Sequence, residues 1–459
     1  MTSATLDAAP AGAATVTTPA AGAQAATAPP RQAARRRYAV VGTGARALVY
    51  VDATATHHDV AELVALCDTN AARLGHHADR VRAAGGEAPA TYDATGGIED
   101  MLDEVAPDVV VVTSPDRVHA SHVAAALGRG ADVVVEKPLT IDAAGMYTIA
   151  DAVRRSEGRL TVAHNYRYAA RNAALRRVIA DGRIGDVVSV HFEWLLDTAH
   201  GADYFRRWHR EKAASGGLLV HKASHHFDLV NWWTGDVPET VYARGGLRFY
   251  GRADAGGPRY VLDLSGDADL RGLYLDAAHL DGYRRDQDPF APGATIEDTL
   301  SVLVGYRSGA TLTYSLTAHS PWEGYRVAVN GTRGRVELEV VERCHATPGR
   351  LWTGGAASEA SCCAARRRGG RLVVQEHWGR SEEIALPDDD GHVEGDAALL
   401  RDVLRGHLDP ADGGPGADPL GRRATLADGL RSVAVGVAGN RSLATGQVVP
   451  VAALGVDLG

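Results

Sequence analysis

Short apolar runs alternate with longer amphipathic stretches through the first third of the chain. Runs at 38–41, 63–67, 108–113, 133–135 and 160–163 are dominated by Val, Ala and Leu, with a shorter one at Thr91-Tyr92. The unbroken valines of D-V-V-V-V-T at 108–113 predict a parallel strand covered on both faces. Between the runs, 70–84, 98–104, 119–127 and 143–157 carry helical periodicity. Strand and helix in alternation predict a doubly wound parallel sheet.

Past residue 164 the pattern changes. A helix is predicted over 169–181 and strands at 187–194, 239–243, 301–306, 310–316, 325–330 and 334–340. Turn pairs Ser308-Gly309, Asn330-Gly331 and Arg333-Gly334 punctuate the later runs, which predicts an antiparallel meander. Strands at 372–376, 383–386 and 448–451 and helices at 395–406 and 425–445 complete the chain, with a loop at 410–419. The expected fold class is α/β: an N-terminal doubly wound parallel sheet, then an α+β domain on a broad, mostly antiparallel sheet. One uncovered sheet face would favour burial against a partner, so a homodimer or homotetramer is expected.

Composition narrows the class. With 459 residues there is room for two or three domains, and 45% hydrophobic with 23% charged residues is an ordinary soluble balance. Residues 1–36 are mostly Ala, Thr, Pro, Gly and Gln and are expected to form a disordered tail without chemistry. The arginines at 35–37 follow this stretch rather than precede an apolar core, unlike a secretory signal. The expected domains are 1–36, 37–164 (cofactor-binding) and 165–459 (substrate-binding and oligomerisation). A net charge of -9 argues against nucleic acid as partner. No apolar run approaches the ~20 residues that span a bilayer. Four cysteines without a C-x-x-C pair fit a reducing cytoplasm.

The chemistry begins at 37–47, R-Y-A-V-V-G-T-G-A-R-A. Gly42, Gly44 and Ala47 form G-x-G-x-x-A, the dinucleotide fingerprint with alanine in its third place. Gly42 permits the turn, Gly44 lets a pyrophosphate approach, and Ala47 lets the helix lie close. The backbone of Thr43, Ala45 and Arg46 would face the phosphates at the helix start. Asp68 follows about 20 residues on, where an acid accepts hydrogen bonds from a ribose 2′-OH and repels a 2′-phosphate. NAD is therefore expected over NADP, with Arg73 beside it. Ser114-Pro115 ends a strand where ligands bind in open α/β sheets, and His119 follows on the next helix. The plainer alternative is an α/β domain that kept the turn and lost the ligand. Glu136-Lys137-Pro138 ends another strand. An ammonium there can stabilise a developing alkoxide, although a solvated lysine at a strand-to-helix turn reads the same way.

These pieces, with 164–167 (H-N-Y-R) and 216–228 (G-G-L-L-V-H-K-A-S-H-H-F-D), resemble the Gfo/Idh/MocA oxidoreductases over roughly residues 37–340. The resemblance implies a Rossmann domain, a second domain on a mostly antiparallel sheet, and NAD- or NADP-dependent redox chemistry at a sugar or cyclitol carbon. The proton-transferring histidine of the family's H-x-x-D maps onto His225. Four residues earlier most members carry aspartate, whereas this chain has His221, a departure, followed by Lys222. Asn165, Tyr166 and Arg167 are implied as substrate-side residues.

Helical spacing from His221 to Trp233 predicts His221, His225 and Asp228 on one face, at i, i+4 and i+7. Two histidines at i, i+4 also suit a metal, but no third ligand has local spacing, so none is expected. The stretch 200–210 offers Arg206, Trp208, His209 and Arg210 for stacking on a carbohydrate, or is a solvated loop. An insertion at 254–292, containing Tyr274, Tyr283, Arg284, Arg285 and Asp286, either covers the substrate or is a surface excursion.

The expected reaction is hydride transfer between NAD and a hydroxyl or keto carbon of a sugar, cyclitol or glycoside. His225 accepts the hydroxyl proton, Lys137 stabilises charge on the oxygen, and His221 is the third catalytic group. One alternative uses the nicotinamide transiently to enable elimination or glycosidic cleavage. Another is a non-catalytic sugar or NAD sensor.

Overall fold

A computed structural model of the chain describes residues 35–252, 256–346, 348, 366–387, 392–410 and 413–459. The tail expected over 1–36 lies outside them save for its last two residues, and Arg36 already begins the first strand.

Six parallel strands form the first sheet: β1 (Arg36–Val41), β2 (Ala61–Asp68), β3 (Ala90–Asp93), β4 (Val109–Val112), β5 (Asp132–Val135) and β6 (Leu160–Val162). Their order is β3-β2-β1-β4-β5-β6. Helices α1 (Ala45–Thr56), α2 (Ala71–Ala83), α3 (Glu99–Val105), α4 (His119–Gly128) and α5 (Ala143–Arg154) connect them. The valines of β4 explain the two-sided cover. Val110 and Val112 enter one apolar cluster and Val109 and Val111 the other, all at most 2% exposed. Each such burial contributes about 1.5–3 kcal/mol. Asn70 and Asp142 cap α2 and α5 through their side chains. Strand order reverses between β1 and β4, so a crevice opens at their carboxyl ends.

The second sheet has nine strands in the order β14-β13-β12-β11-β7-β10-β9-β8-β15. They are β7 (Val187–Asp197), β8 (Pro238–Gly246), β9 (Thr299–Tyr306), β10 (Thr311–Ser320), β11 (Glu323–Gly331), β12 (Gly334–Arg343), β13 (Gly369–Glu376), β14 (Glu382–Ile384) and β15 (Val449–Pro450). All neighbours are antiparallel except β7 and β10, because β7 inserts between the consecutive strands β10 and β11. Gly309, at φ +91°, turns β9 into β10. The helices Ala223–Thr234 and Leu426–Thr445 lie on one face of this domain's core. The other face carries exposed Thr313, Arg326, Glu337 and Glu339. That face is open as expected but polar, so apolar burial does not favour a partner there; Leu303, 49% exposed, is an exception.

Two expectations are corrected. The helix foreseen from His221 to Trp233 is broken: Leu218–His221 and Ala223–Thr234 are separate, with Lys222 between. The insertion is no surface excursion. Its described part packs Leu262, Leu264, Leu270, Leu273 and Tyr274 against Ala45 and Leu48 of α1.

Candidate active site

The glycine turn is built as its sequence requires. Gly42 sits at φ +90°, and a Cβ there would stand 2.4 Å from the Ser114 backbone. The neighbouring Thr43 is fully buried, and its N–H donates to Asp68 Oδ2 (2.6 Å). Asp68 Oδ1 accepts from the N–H of Asn70 (2.9 Å). The carboxylate thus props the turn while lining the crevice. Arg73 Nη1 stands 4.0 Å from Asp68 and 2.7 Å from Asp281 of the insertion.

The insertion reaches the turn itself. The N–H of Ala45, at the start of α1, donates to the Tyr274 hydroxyl (2.8 Å). Arg73 Nε donates to the Leu273 carbonyl (3.0 Å), Asn70 Nδ2 to that of Ala277 (3.1 Å), and His76 contacts Asp269 (2.9 Å). A segment of the second domain is therefore fastened across the phosphate end of the crevice.

Behind the turn, Arg46 Nε donates to Glu136 Oε1 (2.5 Å) and its Nη atoms to Asp396 (2.7 and 2.8 Å). Tyr50 donates to the same Glu136 oxygen (2.9 Å), and Asn165 Nδ2 to Asp396 (2.9 Å). Arg46, Glu136, Asp396 and Asn165 so form a hydrogen-bonded floor of the cavity, with two carboxylates on one guanidinium. His119 bridges the carbonyls of Ser114 and Pro138, each at 2.8 Å, and ties the turns after β4 and β5 together. The Lys137–Pro138 peptide is cis.

Lys137 projects into the cavity from the end of β5. Its Nζ donates to His221 Nε2 (3.3 Å), and His221 Nδ1 stands 2.5 Å from Asp116 Oδ2. The partners assign the tautomer: the proton on Nδ1 faces the carboxylate and Nε2 is the acceptor. Burial, with Lys137 adding to it, pushes His221 well down, so it is neutral. Burial also pushes Lys137 down to about 8, against the pull of Asp116. Asp116 was missed by sequence reasoning. The available signal was an acid directly after Ser114-Pro115, at a strand end on the crevice.

His225 lines the same cavity and stacks on Tyr166, ring centroids 4.3 Å apart. Lys222 Nζ donates to the Tyr166 hydroxyl (3.0 Å) and lies over the Trp194 ring; burial pushes it down to about 8. Trp208 lines the cavity and stacks on His209 at 3.7 Å. Tyr204, Arg207, Tyr283 and Arg285 also line it.

Four residues expected on the substrate side do not reach the cavity wall; one, Arg210, donates instead to the carbonyls of Ala291 and Pro292 (2.7 and 2.9 Å). Tyr166 is a buried platform under His225. Arg167, 1% exposed, forms a paired contact with Asp228 (2.6 and 2.7 Å), which takes both side chains into the interior. Asp228 does not line the cavity with His221 and His225; it is turned to Arg167 and His164. Arg206 is spent on the Tyr260 carbonyl. Among the described residues no group of three His, Cys, Asp or Glu could hold a metal.

One cavity of about 1180 Å³ joins the glycine turn, Asp68, Lys137, His221 and His225. Drug-sized ligands need about 300–1,000 Å³, so there is room for more than one small molecule. The Cβ-free approach at Gly44, the α1 N-terminus and Asp68 fit a dinucleotide lying along the ends of β1, β2 and β4. Its phosphates would displace the Tyr274 hydroxyl from Ala45.

Comparison with known proteins agrees. Residues 36–164 match the model of the Gfo/Idh/MocA oxidoreductase family's NAD-binding Rossmann fold, and 176–354 that of its C-terminal alpha/beta domain. YteT of Bacillus subtilis, described as an oxidoreductase, is 34% identical over 378 residues, 75% of this chain and 82% of YteT. Inositol 2-dehydrogenase of Rhizobium meliloti is 29% identical over 45% of this chain and 57% of its own length. An Agrobacterium radiobacter oxidoreductase, solved with NAD+, L-tartaric acid and magnesium, superposes with a TM-score of 0.62 at 16% identity, covering 92% of this chain and 99% of that one.

Proposed function

This chain belongs to the Gfo/Idh/MocA oxidoreductase family, and on that premise we propose an NAD-dependent dehydrogenase acting on a carbinol carbon of a sugar or cyclitol. The observation that carries this reading is one cavity holding both the glycine turn with Asp68 and the side chains of Lys137, His221 and His225. The inositol 2-dehydrogenase likeness supports the substrate class. Asp68 supports NAD over NADP, since its carboxylate opposes a 2′-phosphate.

The nicotinamide supplies the hydride acceptor when bound. Residues of the turn and Asp68 hold its nucleotide. Lys137, as an ammonium, donates a hydrogen bond to the substrate oxygen and stabilises the charge that develops there. His225 takes the hydroxyl proton. His221, anchored by Asp116, fixes Lys137 by accepting from Nζ. The carboxylate that relatives carry at this position is thereby supplied from the other domain, through an imidazole. Screening sugars and cyclitols for absorbance of reduced nicotinamide tests the proposal. Reduction with at least one polyol is expected, and NAD binding without reduction by any of them would overturn it.

A second reading rests on the insertion. Held on Arg73 by Asp281 and the Leu273 carbonyl, it impedes cofactor exchange. That favours a cofactor reduced and reoxidised in place during elimination or glycosidic cleavage. Product formation without net reduced nicotinamide would select this reading.

A further inference from the structure

The substrate end of the cavity holds more positive than negative charge. Arg46, Lys137, Arg207, Lys222 and Arg285 line it, five cations against the four carboxylates of Asp116, Glu136, Asp203 and Asp396. Asp116 is engaged by His221. Asp203 is shared: its Oδ2 accepts from Arg207 Nη1 (3.2 Å) and Arg285 Nη2 (3.5 Å). Other nearby acids are committed elsewhere. Glu136 and Asp396 share Arg46, and Glu323, which also contacts His200, shares Arg343 with Asp197. The histidines cannot add charge, because burial and these cations keep His200, His209 and His221 neutral.

Resting on the dehydrogenase reading above, we propose that this site takes a sugar acid, with Arg207 receiving the carboxylate of a substrate whose carbinol carbon lies at Lys137. Arg207 is placed for it. It follows directly on the helix Thr198–Arg206, and Asp203, one turn back, accepts from its Nη1 and so fixes one corner of the guanidinium. The side chain is 25% exposed, on a residue that lines the cavity. It is close enough to Asp116 and Lys137 for its charge to act on both. Trp208, the next residue, offers a ring to a sugar face. A guanidinium with one corner fixed presents its remaining N–H groups to a carboxylate in a planar fork, which a neutral hydroxymethyl group cannot match. The cofactor pyrophosphate is an anion too, but Arg285 lies 4.8 Å over the ring of Tyr274, whose hydroxyl meets the glycine turn at Ala45, and is the cation assigned to it.

The test uses the full-length, NAD-loaded protein with D-glucuronate, D-galacturonate, their methyl esters, and D-glucose and D-galactose. Binding is read by calorimetry and turnover by absorbance. At least one acid is expected to bind tenfold or more tighter than its own ester. In Arg207→Gln that ratio is expected to collapse towards one, with partial recovery in Arg207→Lys and less than threefold change in NAD affinity. Equal binding of acid and ester, or preference for the neutral sugars, overturns the sugar-acid assignment alone. So does an Arg207→Gln variant that weakens NAD only, which would give the guanidinium to the pyrophosphate. Binding of none of these compounds to the NAD-loaded protein overturns the sugar-acid assignment, while the dehydrogenase reading falls only if the wider sugar and cyclitol screen also gives no reduced nicotinamide.

Discussion

His221 Nδ1 lies 2.5 Å from the Asp116 carboxylate, a contact between residues 105 apart that joins the two domains at the reacting end of the cavity. It sets the environment of Lys137, whose Nζ donates to the other nitrogen of the same ring.

The pH dependence follows from that chain. In the proposed mechanism Lys137 acts as an ammonium, and burial has pushed it down to about 8. Activity is therefore present below that value and lost as pH rises through it. The negative charge of Asp116 raises Lys137. Asp116→Asn removes that charge, so the alkaline limb should move to lower pH. A pH profile of kcat/KM checks both, and a limb moving upward in the variant would contradict the arrangement.

Tyr274 competes with the cofactor for the N–H of Ala45. Tyr274→Phe removes the competitor at a cost of one hydrogen bond, about 0.5–1.5 kcal/mol. NAD should bind that variant about 2–12-fold more tightly by fluorescence titration. Unchanged or weaker binding would mean that the phosphates do not use this N–H.

On the proposed reading Asp68 selects the cofactor. In Asp68→Ala the carboxylate opposing a 2′-phosphate is gone, while Arg73, 4.0 Å from it, remains. The ratio of NAD to NADP affinities should fall at least tenfold. A ratio that holds would place the ribose elsewhere.

The Arg167–Asp228 pair is structural. Both side chains are 1% exposed, and Asp428 supplies Arg167 with only a second, outer contact at 2.9 Å. Asp228→Ala leaves a buried charge undercompensated, which costs about 3–5 kcal/mol. Urea unfolding should show it. A loss below about 1 kcal/mol would mean that the cation finds water or another partner.

Much of this was legible in the sequence where the signal is local. The valines of β4 and the turn at Gly42 depend on neighbours within a few residues, and both domains follow from such periodicity. Lys137 and His225 are readable because each sits in a short motif. What stayed hidden depends on distance or burial. Asp116 carries no periodic context, and its partner lies on the other domain. Tyr274 meets a residue 229 positions away. Arg167 looks like a substrate ligand until Asp228 is seen to face it from the interior. The helix break at Lys222 hides among helix-forming residues, where its ammonium is instead drawn onto Tyr166 and Trp194. The parallel pairing of β7 with β10 is likewise a long-range choice.

The most direct test of the account is stopped-flow formation of reduced nicotinamide by His225→Ala and His221→Ala beside the unaltered protein. Removing a general base costs about 10²–10⁴-fold, so the hydride step should slow by that much in His225→Ala while NAD affinity holds. His221→Ala should slow it less, because Lys137 loses an anchor rather than its charge. A His225→Ala enzyme that forms reduced nicotinamide at the unaltered rate would contradict the assignment.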